Sequence, residues 1–254
     1  MKEIRGTREY GFYTIDYEAD CYRFPSVTSV LSHIKDPDLE ELKELLGPEK
    51  FAEVSKNGAD RGTIMHGFLE NYCKAMKHFK DKDKALQYMQ QKTPKQFEEF
   101  FPKTMIDTAR DMAYSILNGG FEEELKMPFL IEGLMANFDL GYAGRTDIIF
   151  VNQKNELILG DYKSSSKKLD PCCNKVLKYK LQLSAYWVAF EKFYEKKIKE
   201  GVIFVAYPDA NQGFQKITLS EFEKEIYYAY FEKIFRDCYE FIEGKYKVGM
   251  ICPF

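Results

Sequence analysis

Long apolar runs are missing from this 254-residue sequence. The longest, such as GVIFVAY at 201–207, fall far short of the ~20 residues that a membrane-spanning helix needs. The first ten residues, MKEIRGTREY, hold neither a signal-peptide core nor an Arg/Ser-rich transit pattern. A soluble, intracellular protein with no membrane partner is expected. Pairs of the C-x-x-C type are also missing: Cys21, Cys73, Cys172, Cys173, Cys238 and Cys252 have no zinc or iron–sulfur spacing, so reduced thiols are the expectation. The chain shows no internal repeat and no low-complexity linker. An excess of positive charge is lacking too, because the formal net charge is −3, which removes any overall attraction to nucleic acid. Locally the balance differs. Between 163 and 180 the six lysines Lys163, Lys167, Lys168, Lys175, Lys178 and Lys180 face the one acid Asp170.

What is present, 45% hydrophobic and 16% aromatic residues, suffices for the core of a single domain over 1–254, with or without an insertion. YGFYTIDYEADCYRF alternates about a polar centre, as a hairpin does. Pro25 and Ser26 then open a short helix in PSVTSVLSHI. Residues 38–56 read as a helix ended by Asn57-Gly58, and from Arg61 onward Met65, Leu69, Tyr72, Cys73 and Met76 recur at helical spacing. Residues 82–118 read as helix interrupted at Pro94 and Pro102. The second half changes character. FDLGYAGRTDIIFV and ELILGDYKSS form an antiparallel hairpin around NQKNE, and a helix over about 175–199 leads to the buried strand GVIFVAYP. The unit 157–207 is therefore strand, helix, strand, with its strands parallel. Ser220 and Glu223 have capping-box spacing at the start of a last helix reaching about Lys245. Its Tyr227, Tyr228, Tyr230, Phe231 and Phe235 read as packing inward. The expected class is α/β: a mixed central sheet flanked by helices, with a helical N-terminal half.

The hairpin carries the chemistry. Side chains two apart on a strand share a face, so Asp161 and Lys163 point the same way. With a five-residue loop Val151 pairs with Leu157, and the same register sets Asp147 opposite Asp161, with Cβ atoms about 5 Å apart. Two facing carboxylates repel unless something positive lies between them, and Mg²⁺ is typically held by one or two carboxylates. Lys163 beside a metal-bound water, or beside the phosphate, suits phosphodiester hydrolysis. Taken alone, D-x-K reads more often as a structural ion pair; the G-x-x-D strand, polar loop and D-x-K strand in one hairpin tip the reading to catalysis.

A lone histidine at the border of a helical core, as His66 is, reads first as a packing residue; with a carboxylate site elsewhere it becomes a third ligand and makes Mn²⁺ as suitable as Mg²⁺. Gln182 and Tyr186 stand at i and i+4 on one helix face, either to position a phosphate or base, or, for Tyr186, as core. Lys167, Lys168, Lys175 and Lys178 read as a steering surface for a nucleic-acid backbone or as a solvated face.

The ordered set of His66, Gly144-x-x-Asp147, Asp161-x-Lys163 and Gln182-x-x-x-Tyr186 resembles the RecB-type branch of the PD-(D/E)xK nuclease superfamily. It is most similar to the mitochondrial genome maintenance exonuclease family and its phage relatives. The similarity runs through FPSVTSVLSHI, RGTIMHGFLE, GYAGRTDIIF, LILGDYKSSS, LQLSAYWVAF and GVIFVAYPDA, most of residues 24–210. It implies a restriction-endonuclease-like core and Mg²⁺- or Mn²⁺-dependent hydrolysis of DNA, by an exonuclease on single-stranded or end-opened DNA in replication, recombination or repair. The setting would be the cytoplasm of a bacterial or phage-infected cell. The resemblance makes His66, Asp147 and Asp161 metal ligands, Lys163 the catalytic lysine, and Gln182 with Tyr186 the downstream motif; the expected DNA contacts are Gln182 and Tyr186 together with Lys167, Lys168 and Lys175 of the basic stretch. The four-cysteine pattern of many bacterial members is not matched, so no iron–sulfur cluster is expected. The family often places a further carboxylate ahead of the Asp147 strand; FEEELKMPF offers Glu122, Glu123 and Glu124, with Glu124 favoured and an exposed helix end or strand start as the alternative. Its relatives enclose single-stranded DNA with a helical element, and residues 74–118 are where such an arch would lie by analogy. Two other readings stay open: a structure-specific endonuclease on the same site, and a non-catalytic DNA-binding protein on a nuclease-like fold.

Overall fold

Strands β1 (Arg5–Glu9), β2 (Phe12–Tyr17) and β3 (Asp20–Pro25) open the chain as an antiparallel sheet in the computed structural model of the protein, which describes residues 4–18, 20–209 and 213–239. The expected hairpin is β2–β3, and β1 adds an edge to it. Ser26 caps α1 (Val27–Leu31) by accepting the Ser29 backbone N–H at 3.1 Å. Helices α2 (Pro37–Leu46), α3 (Pro48–Phe79), α4 (Lys82–Phe97) and α5 (Lys103–Ile116) make up the helical half. A π-helical turn over Leu117–Phe121 and the single turn α6 (Glu122–Glu124) lead into the central sheet.

That sheet has five strands in the order β4 (Leu125–Asn137), β5 (Tyr142–Asn152), β6 (Leu157–Ser164), β7 (Glu200–Tyr207) and β8 (Gly213–Leu219). All neighbours are antiparallel except β6 and β7, which are parallel across the connecting helix α7 (Asn174–Tyr194), as expected for the strand, helix, strand unit. Alternate residues feed two cores. Ile148, Phe150, Ile158, Tyr162 and Phe204 meet α3 and α5 on one face, while Ile149, Leu159, Ile203 and Val205 meet α1, α7 and α8 (Glu221–Tyr239) on the other. A strand buried on both faces is apolar throughout, which is why GVIFVAY lacks alternation. Ser220 and Glu223 form the expected capping box, and Phe231 and Phe235 pack on Tyr142 at ring separations of 5.0 and 6.1 Å. The expected end of the last helix near Lys245 lies outside the described residues. Among the described residues no helix is long and apolar enough to cross a membrane.

Several boundaries differ from expectation. Asn57-Gly58 does not end a helix: α3 runs through it for 32 residues, and the break falls at Gly47, with φ +75°, before Pro48. Pro94 lies inside α4, which continues to Phe97, whereas Pro102 does precede a new helix. Helix α7 stops at Glu195 in the left-handed region rather than at Lys199, because Ile198 is drawn into the core and its N–H donates to the Glu191 carboxylate at 3.0 Å. The sequence pattern predicts no strand at β8 and no more than a strand start at the beginning of β4. Within the span 74–118, Ala85, Met89, Ile106, Ala109, Met112 and Ile116 of α4 and α5 share a core with Ile64 and Phe68 of α3, and Phe97 reaches the cavity beside His66. The part of the helical half that stands in solvent is α2, which buries no residue, with the first turns of α3.

Because Gly58 sits inside an exposed helix with open space where a Cβ would go, Gly58→Ala should raise stability by about 0.5–1 kcal/mol. Chemical denaturation reads this directly; an unchanged or lowered midpoint would show that the helix breaks there in solution.

Candidate active site

Asp147 on β5 has a carboxylate on either hand. The β5–β6 pairs run from Val151↔Leu157 to Ile148↔Gly160, the register that the loop length predicts, and the next step along it sets Asp147 against Asp161. On the other side the pairs Ile131↔Ile148 and Gly133↔Thr146 leave Glu132 of β4 opposite Asp147. Three acids therefore lie in a row across three adjacent strands. Glu132 has φ +49°, a left-handed conformation rare for a side-chain-bearing residue inside a strand, which costs roughly 1–3 kcal/mol and is held by the surrounding sheet.

The counter-charges come from two directions. Helix α3 is anchored by Met65, Phe68, Leu69 and Tyr72, all fully buried, and this fixes His66 over the sheet with Nδ1 3.3 Å from Asp147 Oδ1. The His66 ring also meets Tyr162 edge-on at 5.9 Å. The Tyr162 backbone N–H donates to Asp147 Oδ2 at 2.6 Å, taking the place of a further strand pairing. Lys163 lies with Nζ 2.7 Å from Asp161 Oδ2 and 5.0 Å over the Tyr179 ring.

The balance of these charges sets the protonation. Burial, reinforced by Asp147 and Glu70, pushes Glu132 up to about 7. Burial, opposed by Lys163 and reinforced by Asp147, pushes Asp161 up to about 6. Asp147 goes the other way: burial would raise it, but His66, Lys163 and the Tyr162 N–H together hold it below the usual carboxylate range. Burial would lower both His66 and Lys163, yet Asp147 raises the first and Asp161 with Asp147 raises the second. The site holds more negative charge than its own cations neutralise.

A cation fits that deficit. Ligand atoms of His66, Glu132 and Asp147 all lie within 4.8 Å of one another, close enough for one ion. Asp161 stands just outside this set, with its buried Oδ2 2.7 Å from the Lys163 ammonium. Of the expected ligands, then, the structure brings His66 and Asp147 together and holds Asp161 alongside. The further acid beside them is Glu132, whereas Glu124 is ion-paired with Lys216 of β8. Glu132 lies in LIEGLMAN, and an acid at a strand centre directly before glycine was the available signal.

Gln182 and Tyr186 do meet, Gln182 Nε2 donating to the Tyr186 hydroxyl at 3.0 Å, and both line a cavity of about 570 Å³ that Glu132 also borders. Gly144, first residue of the G-x-x-D motif, makes room for this: a Cβ there would lie 2.2 Å from the Tyr186 ring. A second cavity of about 480 Å³, lined by Gly62, Thr63, His66, Glu70, Phe97 and Asp147, shares Glu132 with the first. Lys167, Lys168 and Lys175 are exposed on the loop and first turn after β6, while Lys178 is paired with Asp36 at 3.5 Å and Lys180 with Glu223 at 3.3 Å.

Residues 39–248 match the PD-(D/E)XK nuclease superfamily. The chain belongs to that superfamily. Its five-stranded mixed sheet between helices is the restriction-endonuclease-like architecture, and nucleases of the superfamily generally use divalent metals, which agrees with the donor set above. Among solved structures the chain is similar to the "putative exonuclease" from Eubacterium rectale, with a TM-score of 0.47 and 12% identity over 69% of this chain and 66% of that one. It is also similar to SSO0001, with a TM-score of 0.32 and 16% identity over 70% of this chain and 74% of that one. No curated protein matches.

Glu132, Asp161 and His66 each hold a proton more tightly folded than unfolded, so stability in the absence of metal must fall as pH rises from the ordinary carboxylate range through about 7. Thermal melts of metal-stripped protein should give a higher midpoint at pH 5.5 than at pH 8. Added Mg²⁺ or Mn²⁺ should raise the midpoint most at pH 8, and Glu132→Gln should flatten both trends. A Glu132→Gln variant with the parent's pH and metal responses would remove Glu132 from the site.

Proposed function

We propose that this chain is a metal-dependent exodeoxyribonuclease of the RecB-type branch, hydrolysing single-stranded or end-opened DNA in replication, recombination or repair. The observation that carries the reading is the row of Glu132, Asp147 and Asp161 with His66 and Lys163 set around it. His66, Glu132 and Asp147 would hold Mg²⁺ or Mn²⁺, with Asp161 next to them. When bound, such an ion supplies Lewis-acid polarisation of a phosphoryl oxygen and a water activated at neutral pH.

The protein's own residues do the rest. Lys163 is held as an ammonium by Asp161 and Asp147, which keep its proton on well above neutral pH. It therefore acts as fixed positive charge toward a phosphate gaining negative charge, rather than as a general base. Its position over the Tyr179 ring restrains the side chain without neutralising it. Asp161 is a positioning residue for Lys163 as well as a carboxylate beside the ligands. The Tyr162 N–H pins one oxygen of Asp147, so the other is directed at His66. Cavities of about 480 and 570 Å³, both bordered by Glu132, are of small-ligand size, which favours one strand over an intact duplex.

Two assays test the reading. Lys163→Ala should lower turnover on linear single-stranded DNA by roughly 100-fold or more while leaving Mg²⁺-dependent thermal stabilisation in place. Linear strands should be consumed while a circular single strand survives. Equal turnover by parent and variant overturns the role of Lys163, and rapid cutting of the circle overturns the requirement for an end.

A further inference from the structure

The larger of the two cavities is walled by a part of the chain that the metal site does not use. Gly6, Thr7 and Arg8 of β1, Tyr13 of β2, and Ser26 and Thr28 at the start of α1 face Gly144 and Arg145 of β5 across it. The N-terminal sheet is tied to β5 at this point by the bridge between Ser26 and Ala143. Two arginines look into the space. Arg145 is exposed and shares a face of β5 with Asp147, two residues and roughly 7 Å along the strand. Arg8 is exposed and held in place by hydroxyls: its Nη2 donates to Thr28 Oγ1 at 2.8 Å and to Ser26 Oγ at 3.3 Å.

Those hydroxyls are themselves fixed. Ser26 Oγ lies 3.1 Å from Thr28 Oγ1 and 2.8 Å from Ser29 Oγ, and Ser29 Oγ donates to the Gly11 carbonyl at 2.8 Å. The Arg8 guanidinium is thus pre-positioned by neutral groups that leave its charge intact. Both of its bonds use Nη2, so Nη1 and Nε retain their donors, and among the described residues neither Arg8 nor Arg145 is in an ion pair. A guanidinium oriented in this way, with a free edge and no carboxylate, is suited to bidentate recognition of a phosphate.

We propose that Arg145 and Arg8 bind successive backbone phosphates of a DNA strand as it passes from Asp147 along β5, with Ser26 and Thr28 as positioning residues for Arg8. The proposal rests on the nuclease reading above and adds to it the path of the strand on one side of the scissile bond. The contact is to phosphate, so it is independent of base sequence.

Binding of dye-labelled single-stranded DNA, measured by anisotropy with Ca²⁺ in place of Mg²⁺ over a range of salt, tests it with Arg8→Gln, Arg145→Gln and the double variant. Each single change should make the slope of log K against log salt less negative by roughly 0.7, and the double change by about twice that. A neutral methylphosphonate placed one or two linkages from the scissile bond should weaken parent binding, and the matching arginine variant should be indifferent to it. Arg8→Lys should keep the parent slope if charge is what matters. The Arg145 side chain makes no hydrogen bond within the described residues, so Arg145→Gln keeps the test open if Arg8→Gln perturbs folding. Parent-like slopes in both glutamine variants, with the parent binding and cutting DNA, overturn the strand path alone. A parent that neither binds nor cuts DNA overturns the nuclease reading and this path with it.

Discussion

Repulsion among Glu132, Asp147 and Asp161 is the constraint around which the rest of the molecule is arranged. Adjacent strands bring cross-strand neighbours to about 5 Å whether or not their charges agree. Behind the three acids lie Ile148, Phe150, Tyr162, Phe121 and Phe204, a fully packed apolar layer that denies them water from below. Charges in such a place either find partners or take up protons. Asp147 finds partners in His66 and the Tyr162 N–H, and stays ionised. Asp161 has Lys163, and Glu132 has only the more remote charges of His66 and Arg145; for both, burial and the neighbouring Asp147 outweigh those cations and proton affinity rises. Helix α3 with its histidine on the inner face, the short loop that fixes the hairpin register, and the parallel strand β7 that locks β6 from behind all hold this unfavourable arrangement in place. A site that is electrostatically short by one cation before any ion binds is prepared for one.

How much of this was legible depends on how local each feature is. The β5–β6 register could be counted from a five-residue loop because one slip would move every apolar side chain to the wrong face, and Val151↔Leu157 is observed. The pairing of His66 with Asp147 is not local, spanning two halves of the chain, and only the ordered resemblance of motifs pointed to it. Strand β4 escaped for physical reasons. It contains Pro128 and two register shifts, between Leu125 and Met127 and between Pro128 and Leu130, so alternation is lost where it would have been read. Without legible alternation Glu132 carries no strand signal, and the run of glutamates at 122–124 is the more conspicuous acidic feature of this stretch.

The helical half shows propensity and punctuation giving way to packing. Asn57-Gly58 is a strong turn signal in isolation, but it lies where α3 is already nucleated from Pro48 and is continued by a buried face from Ile64 to Met76. Gly47-Pro48 supplies the real break, since glycine takes the positive φ and proline starts the next helix without needing its N–H. The sequence EKKIK after α7 is favourable for helix, yet burying Ile198 releases more than one further helical turn would, so the chain leaves the helix early and feeds β7.

Charge placement then explains how an acidic protein can take an acidic polymer. Of the six lysines between 163 and 180, Lys178 and Lys180 are neutralised by Asp36 and Glu223 and serve to tie α7 to its neighbours. Lys163 is committed to Asp161. Lys167, Lys168 and Lys175 remain exposed, on the loop and helix start that follow β6. Arg8 and Arg145 are exposed at the cavity that Gly144 and Tyr186 also line. Exposed positive charge thus comes from both of these groups of side chains, while the centre at Glu132, Asp147 and Asp161 is negative. A uniformly basic surface would bind a strand in any register; a negative centre repels the backbone at Asp147 unless the phosphate arrives with a divalent cation. In the proposed reading, strand binding and metal loading are therefore coupled through the same shortage of positive charge at the carboxylates.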